Sequence, residues 1–265
     1  NCVNIRLPQR LFVYLWGKFG VNVGANKKIK VMMRMEEVME EFGLTKNQYL
    51  GIDQFEGDLD LYDLEEVPKG LNLKVSGDLR LDSLTTIPKE LNLVVGGNLW
   101  LGKLEEIPKE FNPTVGGHLG LGGLKTIPKE FNPTVGGNLI LTNLGEISKE
   151  FQPTVGGNLW LGSLTTVPKE FNPTVEGELD LRNLKEIPKG FNPTVGGNLF
   201  LRDLPVIPEE FKPIVGESLY LDGAKEVPSG FDPTVRGSLY LRGLKSKPTE
   251  FHPTVGGDVI YDDKD

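Results

Sequence analysis

GNLWLGSLTTVPKEFNPTVE, residues 157–176, is one complete unit of a pattern that runs through most of the chain. Its apolar side chains stand at Leu159, Leu161, Leu164, Val167, Phe171 and Val175, and Pro168 and Pro173 punctuate its second half. Working outward, the same residue types return every 20 positions from Gly57 to Gly256 with no insertion or deletion. Ten full units fit in that span, and an eleventh starts at Gly257 and stops after Tyr261. A period this strict marks a solenoid. Each residue stacks on its equivalent one turn away, so a single inserted residue would break every stack at once.

Six slots carry the apolar framework. They run from Leu59 to Leu239, Leu61 to Leu241 and Leu64 to Leu244 (with Ala224 as the exception). The others run from Val67 to Val227, from Leu71 through Phe111 to Phe251, and from Val75 to Val255. One unit alone buries too little surface to offset the entropy of ordering it, so stability must come from stacking neighbours. The Leu-x-Leu pair has the in–out alternation of a strand. Successive strands should lie parallel, about 4.8 Å apart. The prolines cannot donate to a ladder, so turns or short 3₁₀ segments are expected in the second half of each unit. The Gly-Gly pair before the strand suggests a tight bend or a positive φ. The expected fold is mainly β: a parallel repeat solenoid with one strand per 20-residue coil and a small helical N-terminal cap. The expected division is an arm and cap over residues 1–54, the solenoid over 55–261 and an acidic tail over 262–265.

The Leu-x-Leu strand followed by Leu and then Ile/Val-Pro resembles the short bacterial-type leucine-rich repeat, and most closely the Gly-x-Leu-x-Leu arrays of bacterial and phage-encoded proteins. The resemblance covers residues 55–261. It implies a solenoid and is unspecific for function. One departure bears on geometry. The family places an inward Asn after its strand, whereas these coils read Leu-Thr-Thr-Val or Leu-Lys-Glu-Ile, and Asn143 and Asn183 are sporadic. A straighter β-solenoid is therefore the rival to a horseshoe with helices on its outer side.

Before the array, Ile29, Met32, Met35, Val38 or Met39, and Phe42 are spaced as on a helix. Asn26 suits its start and Gly43 its end. Lys27, Lys28 and Lys30 at the start and four glutamates near the end oppose the helix dipole. Thr45 and Gln48 have the spacing of a capping box. The expected role is a cap over the apolar end of the first coil. A helix-turn-helix reader of DNA would need a basic recognition helix, which does not follow. Residues 1–25 read as a hairpin or a basic arm. The apolar run 11–25 has a faint signal-peptide character, but Lys18 interrupts it.

The chain holds 29 Lys/Arg against 37 Asp/Glu, a net charge of −8. Seven of the basic residues and none of the acids fall in residues 1–35, so the other 230 residues hold 22 basic against 37 acidic side chains. This balance disfavours nucleic acid as a partner. No apolar run is long enough for a membrane span. The one cysteine, Cys2, permits no intrachain disulfide, and the cytoplasm is expected ahead of secretion.

The outward slot between the two leucines varies although its frame does not: Asp60, Arg80, Trp100, Gly120, Ile140, Trp160, Asp180, Phe200, Tyr220 and Tyr240. Arg182, Arg202 and Arg242 follow two residues after their slot. Exposed aromatics with arginines have the composition of interface hot spots. The expected binding face is Trp100, Trp160, Phe200, Tyr220, Tyr240, Arg182, Arg202 and Arg242, with a protein as partner. Stacking between strands is the competing role for the rings. A glycan is the second candidate ligand, with Asn98, Asn138, Asn158 and Asn198 as hydroxyl partners, although side-chain ladders are the commoner use of such asparagines. Asp58, Asp60, Asp78 and Asp82, or Glu178 and Asp180, could act as acid and base or hold Ca²⁺. A solvated acidic end beside Arg80 is the plainer account. His118 and His252 lie coils apart, and no phosphate loop or zinc spacing occurs. No catalytic residue, cofactor or metal is expected. The Lys69–Lys189 rank is offset by a glutamate rank and reads as a charge-paired edge. Asp258, Asp262, Asp263 and Asp265 make the last strand acidic, which should block end-to-end stacking; an inadequate cap would let the rod add to another copy.

Overall fold

The computed structural model describes residues 35–245, 248, 251 and 253–262. The expected arm 1–25, the start of the 28–42 helix with its three lysines, Lys247, His252 and residues 263–265 of the tail lie outside the described residues.

The fold is a parallel β-solenoid. Each coil makes two strands, not one. The first is the Leu-x pair, from Leu59–Asp60 to Val259–Ile260, and these form an eleven-stranded sheet in chain order. The second runs from Leu73–Val75 through Thr174–Val175 to Thr254–Val255 and builds a ten-stranded sheet. All pairs are parallel and in 20-residue register, such as Leu159↔Leu179 and Val155↔Val175. Between the strands, Leu164 N donates to Leu161 O (3.1 Å) and Phe171 N to Pro168 O (3.0 Å), closing two turns per coil.

Proline shortens the second strand without abolishing it, which is why the expectation of one strand per coil needs correcting. In the first two coils Leu73 and Leu93 occupy the later proline slot, and the strand there has three residues. Leu73 N donates to Asn92 O at 3.1 Å. From Pro113 onward that donor is missing and the strand has two residues. The proline carbonyl still accepts, as when Thr154 N donates to Pro133 O at 3.2 Å. A lost N–H costs one rung, while the outward Thr and inward Val keep the strand's pleat.

The Gly pair also acts differently from expectation. Apart from Gly57 in the first coil (φ 93°), no glycine of the pair has a positive φ among the described residues. What the slot lacks is room. A Cβ on Gly156 would lie 2.5 Å from the carbonyl oxygen of Gly136, one coil earlier.

All six apolar slots face inward. The first three are almost fully buried apart from Leu244, whereas the Ile/Val slot is the shallowest, with Val67, Ile127, Ile187 and Val227 only partly covered. Phe131 through Phe251 stack ring on ring, with centroids 5.9–6.4 Å apart.

The N-terminal end is covered. Helix α1 (Met35–Glu41) stops at Gly43 (φ 62°), with Leu44 N donating back to Met39 O at 2.9 Å. Helix α2 (Lys46–Tyr49) opens with the expected capping box between Thr45 and Gln48. Val38, Phe42, Leu44 and Tyr49 join the solenoid core. Isolated bridges Leu50↔Asn72 and Phe55↔Val75 carry backbone pairing past the first strand of the second sheet.

Excision of residues 157–176, one whole coil, should leave the circular dichroism spectrum per residue unchanged and lower the melting temperature only modestly, because every register is restored. Excision of ten of those residues should abolish cooperative folding. Phe171→Ala should cost about 3–5 kcal/mol in urea unfolding. Phe171→Leu should cost about 1 kcal/mol, since Leu71 and Leu91 already fill that slot.

Candidate binding face

The variable slot lies on the outer surface of the eleven-stranded sheet, and the register sets its members side by side, from Asp60↔Arg80 to Tyr220↔Tyr240. Trp100, Trp160, Phe200, Tyr220 and Tyr240 are all half-buried. They form two separate groups. Trp100 lies across Gly120, where an added Cβ would stand 2.5 Å from the indole Cε3. Ile140 and Trp160 follow in register. Phe200, Tyr220 and Tyr240 make a continuous stack, with centroids 4.7 and 4.3 Å apart and planes 22° and 9° from parallel.

Asp180 separates the groups. It is only 7% exposed, the sole charged residue buried among the described residues. Arg182 neutralises it: Nε donates to Oδ1 and Oδ2 at 3.0 and 2.9 Å, and Nη2 to Oδ2 at 2.6 Å. The Arg182 backbone N adds a bond of 3.1 Å to Oδ1. These bonds to the carboxylate also raise the pKa of the guanidinium. Arg182 is thus committed within the chain. Arg202 lies over Phe200 (5.3 Å) and Tyr220 (4.8 Å), and Arg242 over Tyr240 (4.8 Å) with Asp222 at 3.9 Å. Each cation meets a ring face, where the π quadrupole is negative. Burial raises the Tyr220 phenol above its ordinary 10.0, Tyr240 beside it adds to the rise, and Arg202 opposes it.

The candidate carboxylates serve structure. Asp60 and Asp82 flank Arg80 at 3.6 and 3.4 Å. Asp58 and Asp78 belong to a side-chain ladder in which each member accepts the backbone N–H of its equivalent in the next coil. Asp78 N donates to Asp58, Asn98 N to Asp78, His118 N to Asn98, Asn138 N to His118 and Asn158 N to Asn138, at 2.7–2.8 Å. Glu178 N continues it to Asn158 Oδ1 at 2.8 Å. The asparagines proposed for glycan hydroxyls therefore have their oxygens engaged.

Two features lay beyond the sequence reading. A second ladder links the turn asparagines, as in Asn132 N to Asn112 Oδ1 (2.7 Å) and Asn192 N to Asn172 Oδ1 (2.6 Å). The signal was the Asn before the second proline of four coils, at Asn112, Asn132, Asn172 and Asn192. Tyr62 sits under Arg80 (5.1 Å) and Lys103 (5.9 Å), a cation–aromatic group at the other end of the face. Its slot is the one that holds Arg182 and Arg202 further on. The Lys–Glu edge shows exposed neighbouring pairs at 3.7–4.0 Å, such as Lys169–Glu170, which contribute little.

Compared with protein-family models, with curated proteins and with solved structures, the chain matches none. Among the described residues no helix is long and apolar enough to cross a membrane, and no group of three or more His, Cys, Asp or Glu could hold a metal ion.

The raised Tyr220 pKa has a defined consequence. Above pH 10.0 the unfolded phenol loses its proton before the folded one. The stack's contribution is complete below that pH and declines as pH rises through the folded value. Wild type should lose stability more steeply in alkaline unfolding than Tyr220→Phe. In a separate measurement, Arg182→Ala should destabilise by about 1–3 kcal/mol by exposing Asp180 to burial without its partner. Asp180→Asn with Arg182→Ala should recover part of that loss.

Proposed function

We propose that this protein is a non-enzymatic binding scaffold whose partner is another protein, docked on the outer face of the eleven-stranded sheet. The observation that carries this reading is the Phe200–Tyr220–Tyr240 stack with Arg202 and Arg242 laid over its rings. Stacking alone accounts for ring-on-ring contact. It does not account for two guanidiniums held over a half-exposed aromatic row, the composition that dominates hot spots. Trp100 and Trp160 extend the face toward the N-terminus, while Arg182 acts through Asp180. We include in the same proposal a kinship with short bacterial or phage leucine-rich repeats, supported by the Leu-x-Leu strand and the Ile/Val-Pro step.

The test is affinity capture from host extract with wild type and with Tyr220→Ser/Tyr240→Ser, both shown to be folded by circular dichroism. The expected outcome is a defined protein retained by wild type and lost, at least tenfold by about 1.4 kcal/mol of lost contact, from the variant. Capture of nothing, or of the same proteins equally by both, would return the aromatic row to a purely structural role.

A further inference from the structure

The same sheet face carries a second region whose chemistry differs from that of the tyrosine stack. Between Asn98 and Gly162 the outward positions of the first strand and its flanks hold no carboxylate, ammonium or guanidinium. Lys103, in the turn that follows, lies over Tyr62 instead. The platform consists of Trp100, Ile140 and Trp160, all half-buried. Trp100 and Trp160 are three coils apart, about 14 Å at the spacing of parallel strands.

Beside the platform runs the side-chain ladder, and its polarity determines what faces solvent. Asn138 Oδ1 accepts Asn158 N and Asn158 Oδ1 accepts Glu178 N, both at 2.8 Å. A backbone N–H can be met only by the amide oxygen, so each carboxamide is locked with its NH₂ turned away. His118 follows the same rule. Its Nδ1 accepts Asn138 N at 2.8 Å, so the neutral ring carries its proton on Nε2. No described group accepts from His118 Nε2, Asn138 Nδ2 or Asn158 Nδ2, and none of these atoms is closed off from solvent. The run is bounded on both sides. Asn98 Nδ2 is taken by Asp78 (3.1 Å), and Asn198 Nδ2 by Glu178 (2.9 Å) and Glu217 (2.8 Å).

We infer that this region, His118, Asn138 and Asn158 alongside Trp100, Ile140 and Trp160, binds a neutral oligosaccharide. A rank of fixed donors open to solvent suits a ligand rich in oxygen. Sugar hydroxyls meet it, because each accepts from the protein while donating to water. The flat apolar faces of pyranose rings meet the indoles. The absence of charge means that no ion needs to be desolvated or paired, which sets this region apart from the arginine-bearing stack beyond Asp180. A donor rank three coils long fits several linked sugars in a row. The inference shares Trp100 and Trp160 with the protein-docking face but uses none of the Phe200–Tyr220–Tyr240 stack that carries that proposal.

The test is isothermal titration of the full chain with cellohexaose, xylohexaose and chitohexaose. The informative variant is Asn138→Asp/Asn158→Asp. Aspartate keeps the ladder oxygen, as Asp58 and Asp78 do in the first coils, and replaces each donor by a charged acceptor. Saturable binding of at least one sugar by wild type is expected, weakened at least tenfold in the Asp variant, with circular dichroism showing both proteins folded. Trp160→Ala should also weaken it, and Tyr220→Ser/Tyr240→Ser should leave it intact. The inference is overturned if no sugar binds at up to about 10 mM, where even a millimolar site would register. Equal binding by wild type and the Asp variant would overturn it as well.

Discussion

In-register pairing of residues 20 positions apart is the constraint on which everything else in this molecule rests. Leu159 pairs with Leu179 and Val155 with Val175, so each position of the coil sees chiefly its own kind. Repetition then has physical consequences that depend on residue type. Stacked leucines and phenylalanines become a continuous core. Stacked asparagines become a hydrogen-bonded ladder, because each can accept the N–H of the next. Stacked lysines would repel, and a neighbouring glutamate rank offsets them. The same pairing leaves no space for a Cβ on Gly156, because the backbone of the preceding coil already occupies it.

The outward slot of the first sheet escapes most of this constraint. Its side chains do not fill the core, so they differ from coil to coil, and the chemistry of the molecule is concentrated there. Asp180 and Arg182 separate the neutral region between Asn98 and Gly162 from the cation–aromatic region toward the C-terminus. The buried carboxylate is tolerable only because the guanidinium meets it with three side-chain bonds. The ladder beside the slot links stability to surface chemistry. By committing its oxygens to backbone donors it stabilises the stack, and by the same geometry it presents amide hydrogens to solvent.

The two ends of the solenoid are unlike. Val38, Phe42 and Tyr49 seal the first coil, and the Tyr49 hydroxyl donates to Lys69 O at 3.0 Å. At the other end Phe251, Val255, Val259 and Tyr261 remain only partly covered, with Asp258 exposed beside them. Burial raises the Tyr261 phenol pKa above its ordinary value.

The sequence by itself determined the period, the six inward slots, the first strand, the helical cap and the identity of the variable face, because each of these follows from which residue type recurs at which interval. It did not reveal the second strand. Proline was weighed there as a lost donor, whereas Pro133 still accepts from Thr154 across the coils. Nor could it separate Arg182 from Arg202 and Arg242, which stand in equivalent slots. One is bound to a buried carboxylate and the others lie over rings, according to what the neighbouring strand places beside them. The direction of the amide groups at Asn138 and Asn158 was likewise decided only by tertiary structure. An asparagine offers both donor and acceptor, and which one faces outward depends on the backbone N–H that the next coil brings within reach.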